Sequence, residues 1–197
     1  MDPALRVQLI AMAERDQTVR ARLAADGSLF KGYHPEMAQV HREHGERLAR
    51  IMAEHGWPGV SLAGDDGAQA AWLIAMHAIG QPEVMRRALA LLHEAQEKGA
   101  VPAVQAARLE DAVRFHEGRP QVYGTMYDWD AEGRLSVPML EHPERVDARR
   151  AAVGLPPLAE ALADMRRRTE ETAEVPPQDI ARRKRDQEAW ARSVGWR

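Results

Sequence analysis

The residues able to do chemistry in this sequence are few, and most sit among apolar neighbours. His77 is the first. From Ala70 to Ile79 the chain reads Ala-Ala-Trp-Leu-Ile-Ala-Met-His-Ala-Ile, apolar at every position except the imidazole. A helix that is apolar all round is normally buried, and a buried polar group left unpaired costs about 1–3 kcal/mol. His77 is therefore expected against another polar group inside the fold. Two readings stand: a structural imidazole tied to a main-chain carbonyl, or an acid/base group lining an interior pocket with Trp72 and Met76 at the substrate.

Asp111 is the second candidate, sharing a helix face with Val104, Ala107 and Phe115 at spacings of three to four. A carboxylate among such neighbours is paired or has a raised pKa; otherwise it is a partly exposed helix charge. The third feature is Arg119-Pro120-Gln121-Val122-Tyr123-Gly124-Thr125. Read as extended chain, it places Gln121, Tyr123 and Thr125 on one face, with Met126 following. That row could orient a polar small molecule or satisfy helix ends at a crowded junction. Arg149-Arg150 could clamp an anion or form helix-end salt bridges. His41, His44 and His55 lie near one stripe of a helix, but no carboxylate at a known metal-motif spacing accompanies them, so no metal is expected.

These residues need helices to position them. Ala, Leu, Arg and Glu dominate and aromatics make up 5% of the 197 residues, a mixture that favours helix over strand. Gly and Pro breaks divide the chain. Helices are expected over 3–25, 36–55, 69–79, 83–98, 102–118 and 144–153, then after Pro157 to about Thr172, with a last one in the charged tail. Residues 28–35 and 64–67 read as loops. Between 121 and 137, Val, Tyr and Thr flank the turn-like Asp130-Ala131-Glu132-Gly133, which predicts a short β-hairpin. The expected fold is mainly α: a compact bundle of six to eight helices with that hairpin, over residues 1–173, and a charged helical extension over 174–197.

With a net charge of −3 and basic runs balanced by neighbouring acids, a nucleic-acid partner is not expected. The absence of cysteine excludes disulfides, zinc–thiolate sites and a cysteine nucleophile. No run approaches the roughly 20 apolar residues of a membrane span, and Met1 to Leu5 do not begin a secretory signal, so a cytoplasmic location is expected. No phosphate-cradling glycine fingerprint is present.

The stretches Gly56-Trp57-Pro58, Asp66 to Ile74, Gly118 to Thr125 and Val146 to Leu155, in this order, resemble a bacterial family known as domain of unknown function 6624, over approximately Ala13 to Leu162. The resemblance implies a scaffold and no activity. In the family pattern the central helix continues Gln-His-Ala-Asp where this chain has Met76-His77-Ala78-Ile79. The fifth helix carries Asp-Arg where Asp111-Ala112 stands, and the hairpin reads Tyr-Gly-Thr-Gln where Tyr123-Gly124-Thr125-Met126 stands. Loss of an acid together with a base avoids stranding either charge. The resemblance thus implies a member with a more apolar interior, suited to an altered ligand or to lost activity.

The expected function is a cofactor-independent acid/base enzyme acting on a polar small metabolite, by elimination or ring closure with loss of an anionic leaving group. His77, Asp111 and Tyr123 would be catalytic, and Trp72, Met76, Gln121, Thr125, Met126 and Arg150 would contact the substrate. The alternative is a non-catalytic partner subunit, or a homo- or hetero-oligomer, docking through the C-terminal region, where Trp190 and Trp196 could anchor an interface.

Overall fold

A computed structural model describes residues 1–30, 32–172 and 174–197. Lys31, in an expected loop, and Ala173, the expected end of the first domain, lie outside the described residues. The chain divides into two compact units, 1–101 and 102–197. The division falls between the fourth and fifth helices and differs from the expected boundary at 173. The charged tail does not stand apart, because its helix packs within the second unit.

Among its described residues the first unit has four α-helices, α1 (Pro3–Ala25), α2 (Pro35–His55), α3 (Val60–His77) and α4 (Pro82–Glu97), and a 3-10 turn (Ser28–Phe30). Asp2 caps α1 by accepting the amides of Ala4 and Leu5, both at 3.0 Å, and Pro3 fits the first turn. Leu5, Leu9 and Leu23 of α1 are buried, as are Met37, Val40, Leu48, Ile51 and Met52 of α2. Spacings of three, four, eight and eleven among them keep these residues on one stripe of each helix. The expected loop at 64–67 is instead a kink inside α3. Gly64 takes φ 70° there, a left-handed conformation that breaks the helical path. Arg6 holds the restart through Asp66. α3 ends at His77, two residues earlier than expected.

The second unit holds α5 (Ala103–Glu117), strands β1 (Asp128–Trp129) and β2 (Leu135–Ser136), a 3-10 turn (Pro143–Arg145), α6 (Val146–Ala152), α7 (Leu158–Glu171) and α8 (Ile180–Ser193). The hairpin is antiparallel, with Asp128 opposite Ser136 and Trp129 opposite Leu135. It is shorter than expected. Residues 121–125 contribute one isolated bridge, Gln121 to Leu140, and no strand. α8 returns onto the end of α5: Trp196 stacks on His116 with centroids 5.1 Å apart, and Trp190 meets the same ring edge-on at 5.8 Å.

Candidate functional site

The polar cluster of the first unit begins with an interruption in an apolar stripe. Along α1, Leu5, Leu9, Met12, Asp16, Val19 and Leu23 alternate steps of four and three, so Asp16 occupies a core position. Its side chain is 2% exposed. Two imidazoles meet it there. His77, the last residue of α3, brings Nδ1 to 2.9 and 3.0 Å from the two carboxylate oxygens. His41 of α2 brings Nε2 to 3.1 Å from Oδ2. On its other side, His41 Nδ1 lies 2.9 Å from the Tyr33 hydroxyl, while Gln17 donates its amide to Asp16 Oδ1 at 2.9 Å. The His41 and His77 rings tilt against each other with centroids 5.2 Å apart.

The electrostatics follow from the contacts. Burial by itself raises the Asp16 pKa, but the two imidazoles outweigh it and hold the carboxyl well below its usual range. Asp16 is therefore an anion in the interior. Burial first, then the Asp16 charge, pushes the Tyr33 phenol above its ordinary value and keeps it protonated. His77 is the most open member, its side chain 26% exposed against 11% for His41. It is neither wedged in solid packing nor bonded to main chain alone. Each of Asp16, His41 and His77 offers one ligand atom, and these atoms all lie within 4.8 Å of one another, so the trio is a set that could hold a metal ion.

Alongside, α1 and α2 border a groove of about 430 Å³ lined by Gln8, Arg15, His44, Arg47 and Arg50 among others. Arg15 bonds Glu43, and Arg47 bonds Gln8, each at 2.7 Å. Arg47 Nε and His44 Nδ1 are buried without a partner. Burial, then the Arg15 charge, lowers the His44 pKa. The groove starts one residue from Asp16 and one helical turn from His41. His55, the third histidine of that helix, is exposed beside Glu54.

The other residues expected at a site have different surroundings. Trp72 and Met76 lie on α3 in the first unit, half-buried within two turns of His77. Asp111, on α5 of the second unit, is fully buried and accepts the main-chain amides of Val122 (2.7 Å), Tyr123 (3.1 Å) and Thr125 (2.9 Å) and the Thr125 hydroxyl (3.0 Å). Burial outweighs these four bonds and leaves its pKa raised. Gln121 donates to the carbonyls of Met126 and Pro138 and accepts the Met126 amide. Arg150, 1% exposed, donates to the carbonyls of Pro156, Tyr123 and Gly124. Asp111, Gln121 and Arg150 thus hold the loop 121–126 in place from inside. Burial raises the pKa of the half-buried Tyr123 phenol.

Sequence reasoning named His77 but missed three companions. The sequence groups His41 with His44 and His55 on one helix stripe, without its carboxylate, which comes from another helix. Tyr33 sits in the short loop before α2 and carries no periodic signal. Asp16 did have one, as the polar residue in the apolar stripe of α1.

Fold and cluster together define a mainly helical protein in which three successive helices of one unit converge two imidazoles on a buried aspartate. The chain belongs to the family of unknown function DUF6624, whose model matches residues 3–169. No curated protein and no solved structure matches it.

Proposed function

We propose that this protein is an enzyme of specialised metabolism that acts in the cytoplasm by proton transfer on a polar small molecule, with Asp16, His41 and His77 as its reacting centre. One observation carries the reading. A carboxylate 2% exposed and held ionised is met by two imidazoles, of which His77 is partly open to the outside. Perturbed ionisable groups gathered at an accessible edge are candidates for a functional site. Tyr33 orients His41, and Trp72 and Met76 are half-buried on the helix that ends at His77. The arginine-lined groove of α1 and α2 suits an anionic portion of the substrate.

The reaction class is elimination or ring closure. The cluster removes a proton from the substrate, and the electron pair left behind forms the new π bond or ring bond. The leaving group departs with its own pair as an anion. No oxidant or reductant is needed. The loop carboxylate Asp111 has no part in this step, since both its oxygens are engaged within the fold. Trp190 and Trp196, the anchors of the alternative docking role, pack on His116 of their own unit.

The test compares metabolite extracts incubated with the wild-type chain and with Asp16→Asn or His77→Gln. The expected result is a metabolite converted by the wild type to a product lighter by one acid molecule, with turnover at least about 100-fold slower in either variant. Conversion at the wild-type rate by both folded variants would sink the reading.

A further inference from the structure

We infer that Asp16, His41 and His77 form a binding site for one divalent first-row transition-metal ion, ligated through a carboxylate oxygen of Asp16, Nε2 of His41 and Nδ1 of His77. The inference rests on the reading of this cluster as the reacting centre and names the agent that works there.

Four observations carry it. The first is spacing. Two ligand atoms around an ion with bonds of about 2.1 Å stand about 3.0 Å apart at an octahedral angle and about 3.4 Å apart at a tetrahedral one, a few tenths of an ångström from the present spacing. Both nitrogens approach the carboxylate oxygens at 2.9–3.1 Å.

The second is alignment. His41 Nε2 lies 3.1 Å from Asp16 Oδ2, yet it is buried and without a hydrogen-bond partner. The nitrogen is close enough to the carboxylate but aimed off line. A ring nitrogen directed beside a carboxylate oxygen has the arrangement of two ligands that share an ion.

The third is charge. A carboxylate held ionised in the interior is balanced either by a cation or by a full set of hydrogen-bond donors, and Asp16 has fewer donors than Asp111. Among the described residues, the polar partners of Asp16 are Gln17, His41 and His77, with no lysine or arginine. A divalent ion leaves both imidazoles neutral and still balances the anion.

The fourth lies behind the ligands. Ligating histidines are normally fixed by a hydrogen bond at the other ring nitrogen. His41 has this bond, from Nδ1 to the Tyr33 oxygen, and the Gln17 amide fixes Asp16 in the same way.

Two imidazoles and one carboxylate are the donor set that suits zinc, cobalt, manganese and ferrous ions, and three protein ligands leave positions open for water or substrate. An ion there would lower the pKa of a bound water toward neutrality, supplying the proton acceptor that the proposed reaction needs. A magnesium or calcium site would instead be built of oxygen donors.

The test needs no substrate. The full chain, stripped with chelator and dialysed, is titrated with Co²⁺ and with Zn²⁺, followed by calorimetry and, for cobalt, by visible absorption. One equivalent should bind, with cobalt d–d bands in the visible range. Asp16→Asn and His77→Gln should each weaken binding at least about 100-fold. Thermal melts confirm that each variant is folded, and His55→Ala, at an exposed histidine outside the cluster, should bind as the wild type does. Absence of binding by the wild-type chain, or equal binding by wild type and both folded variants, overturns the inference. The two proposals fail separately. Turnover that survives chelation but is lost in the variants leaves a metal-free cluster as the reacting centre, whereas metal binding without any turnover leaves the ion and removes the enzyme.

Discussion

Acidification should destabilise the second unit through one histidine. His116, near the end of α5, is 9% exposed. Its ring lies against Trp196, Trp190 and Phe115, with centroids between 5.1 and 5.8 Å away. Burial, and then the charge of Arg197, lowers its pKa to about 4. The unfolded chain has the ordinary value of about 6.5. Below that value the unfolded state takes up a proton that the folded state refuses. Stability is therefore complete above about pH 6.5 and falls as the pH drops toward 4, by about 1.4 kcal/mol per unit in mid-window. The loss should reach about 2 kcal/mol by pH 5. Urea unfolding at pH 7 and pH 5 measures it, and His116→Phe isolates it, because that variant keeps an aromatic ring on Trp196 with nothing to titrate. The wild type should lose about 2 kcal/mol more than the variant between the two pH values. Equal losses would show that the folded chain accommodates the charged imidazole and would refute the argument.

Two further outcomes follow from the way buried and exposed charges are held. Asp111→Asn replaces an acceptor of three amides and a hydroxyl with a group that turns a donor toward them. It should cost about 3 kcal/mol in urea unfolding, and metal binding at the first-unit cluster should survive in whatever fraction stays folded. Arg6 and Asp66 form an ion pair with side chains 42% and 50% exposed, so Asp66→Ala should change stability by less than about 1 kcal/mol. A larger loss would mean that this contact sets the kink at Gly64.

The helices were legible because their signals are local. Pro3 opens α1 where the sequence placed it, Pro35 and Pro82 open α2 and α4 one residue before the expected starts at 36 and 83, and Gly118 closes α5 in a left-handed conformation. The start of α3 was not legible, since Gly64-Asp65-Asp66-Gly67 has the composition of a loop. The chain there bends at a single glycine while the following residues stay helical. The loop 121–126 misled in a related way. Alternating polar residues looked like one face of a strand, but the competing interaction was Asp111, whose carboxylate collects amides that a strand would have given to a neighbour. His77 was legible as the polar residue of an apolar helix. Its partners come from helices 36 and 61 positions earlier in the chain, and no spacing rule connects them.

What separates functional from structural polar residues here is whether their bonding is complete. Asp111, Gln121 and Arg150 were attractive as site residues because they are polar and enclosed, yet each is bonded to the main chain around it. A substrate could reach them only by displacing folded structure. The first unit differs. Among the described residues, the buried side-chain polar atoms without a partner belong to His41, His44, Arg47, Trp57 and Gln81, all within it. Native proteins keep few such atoms, and three of these five are on α2, where His41 joins Asp16 and where His44 and Arg47 line the groove. Unmet bonding capacity beside an ionised, buried carboxylate is what a bound ion or substrate would complete, and this concentration on one helix supports the proposal of a site in the first unit.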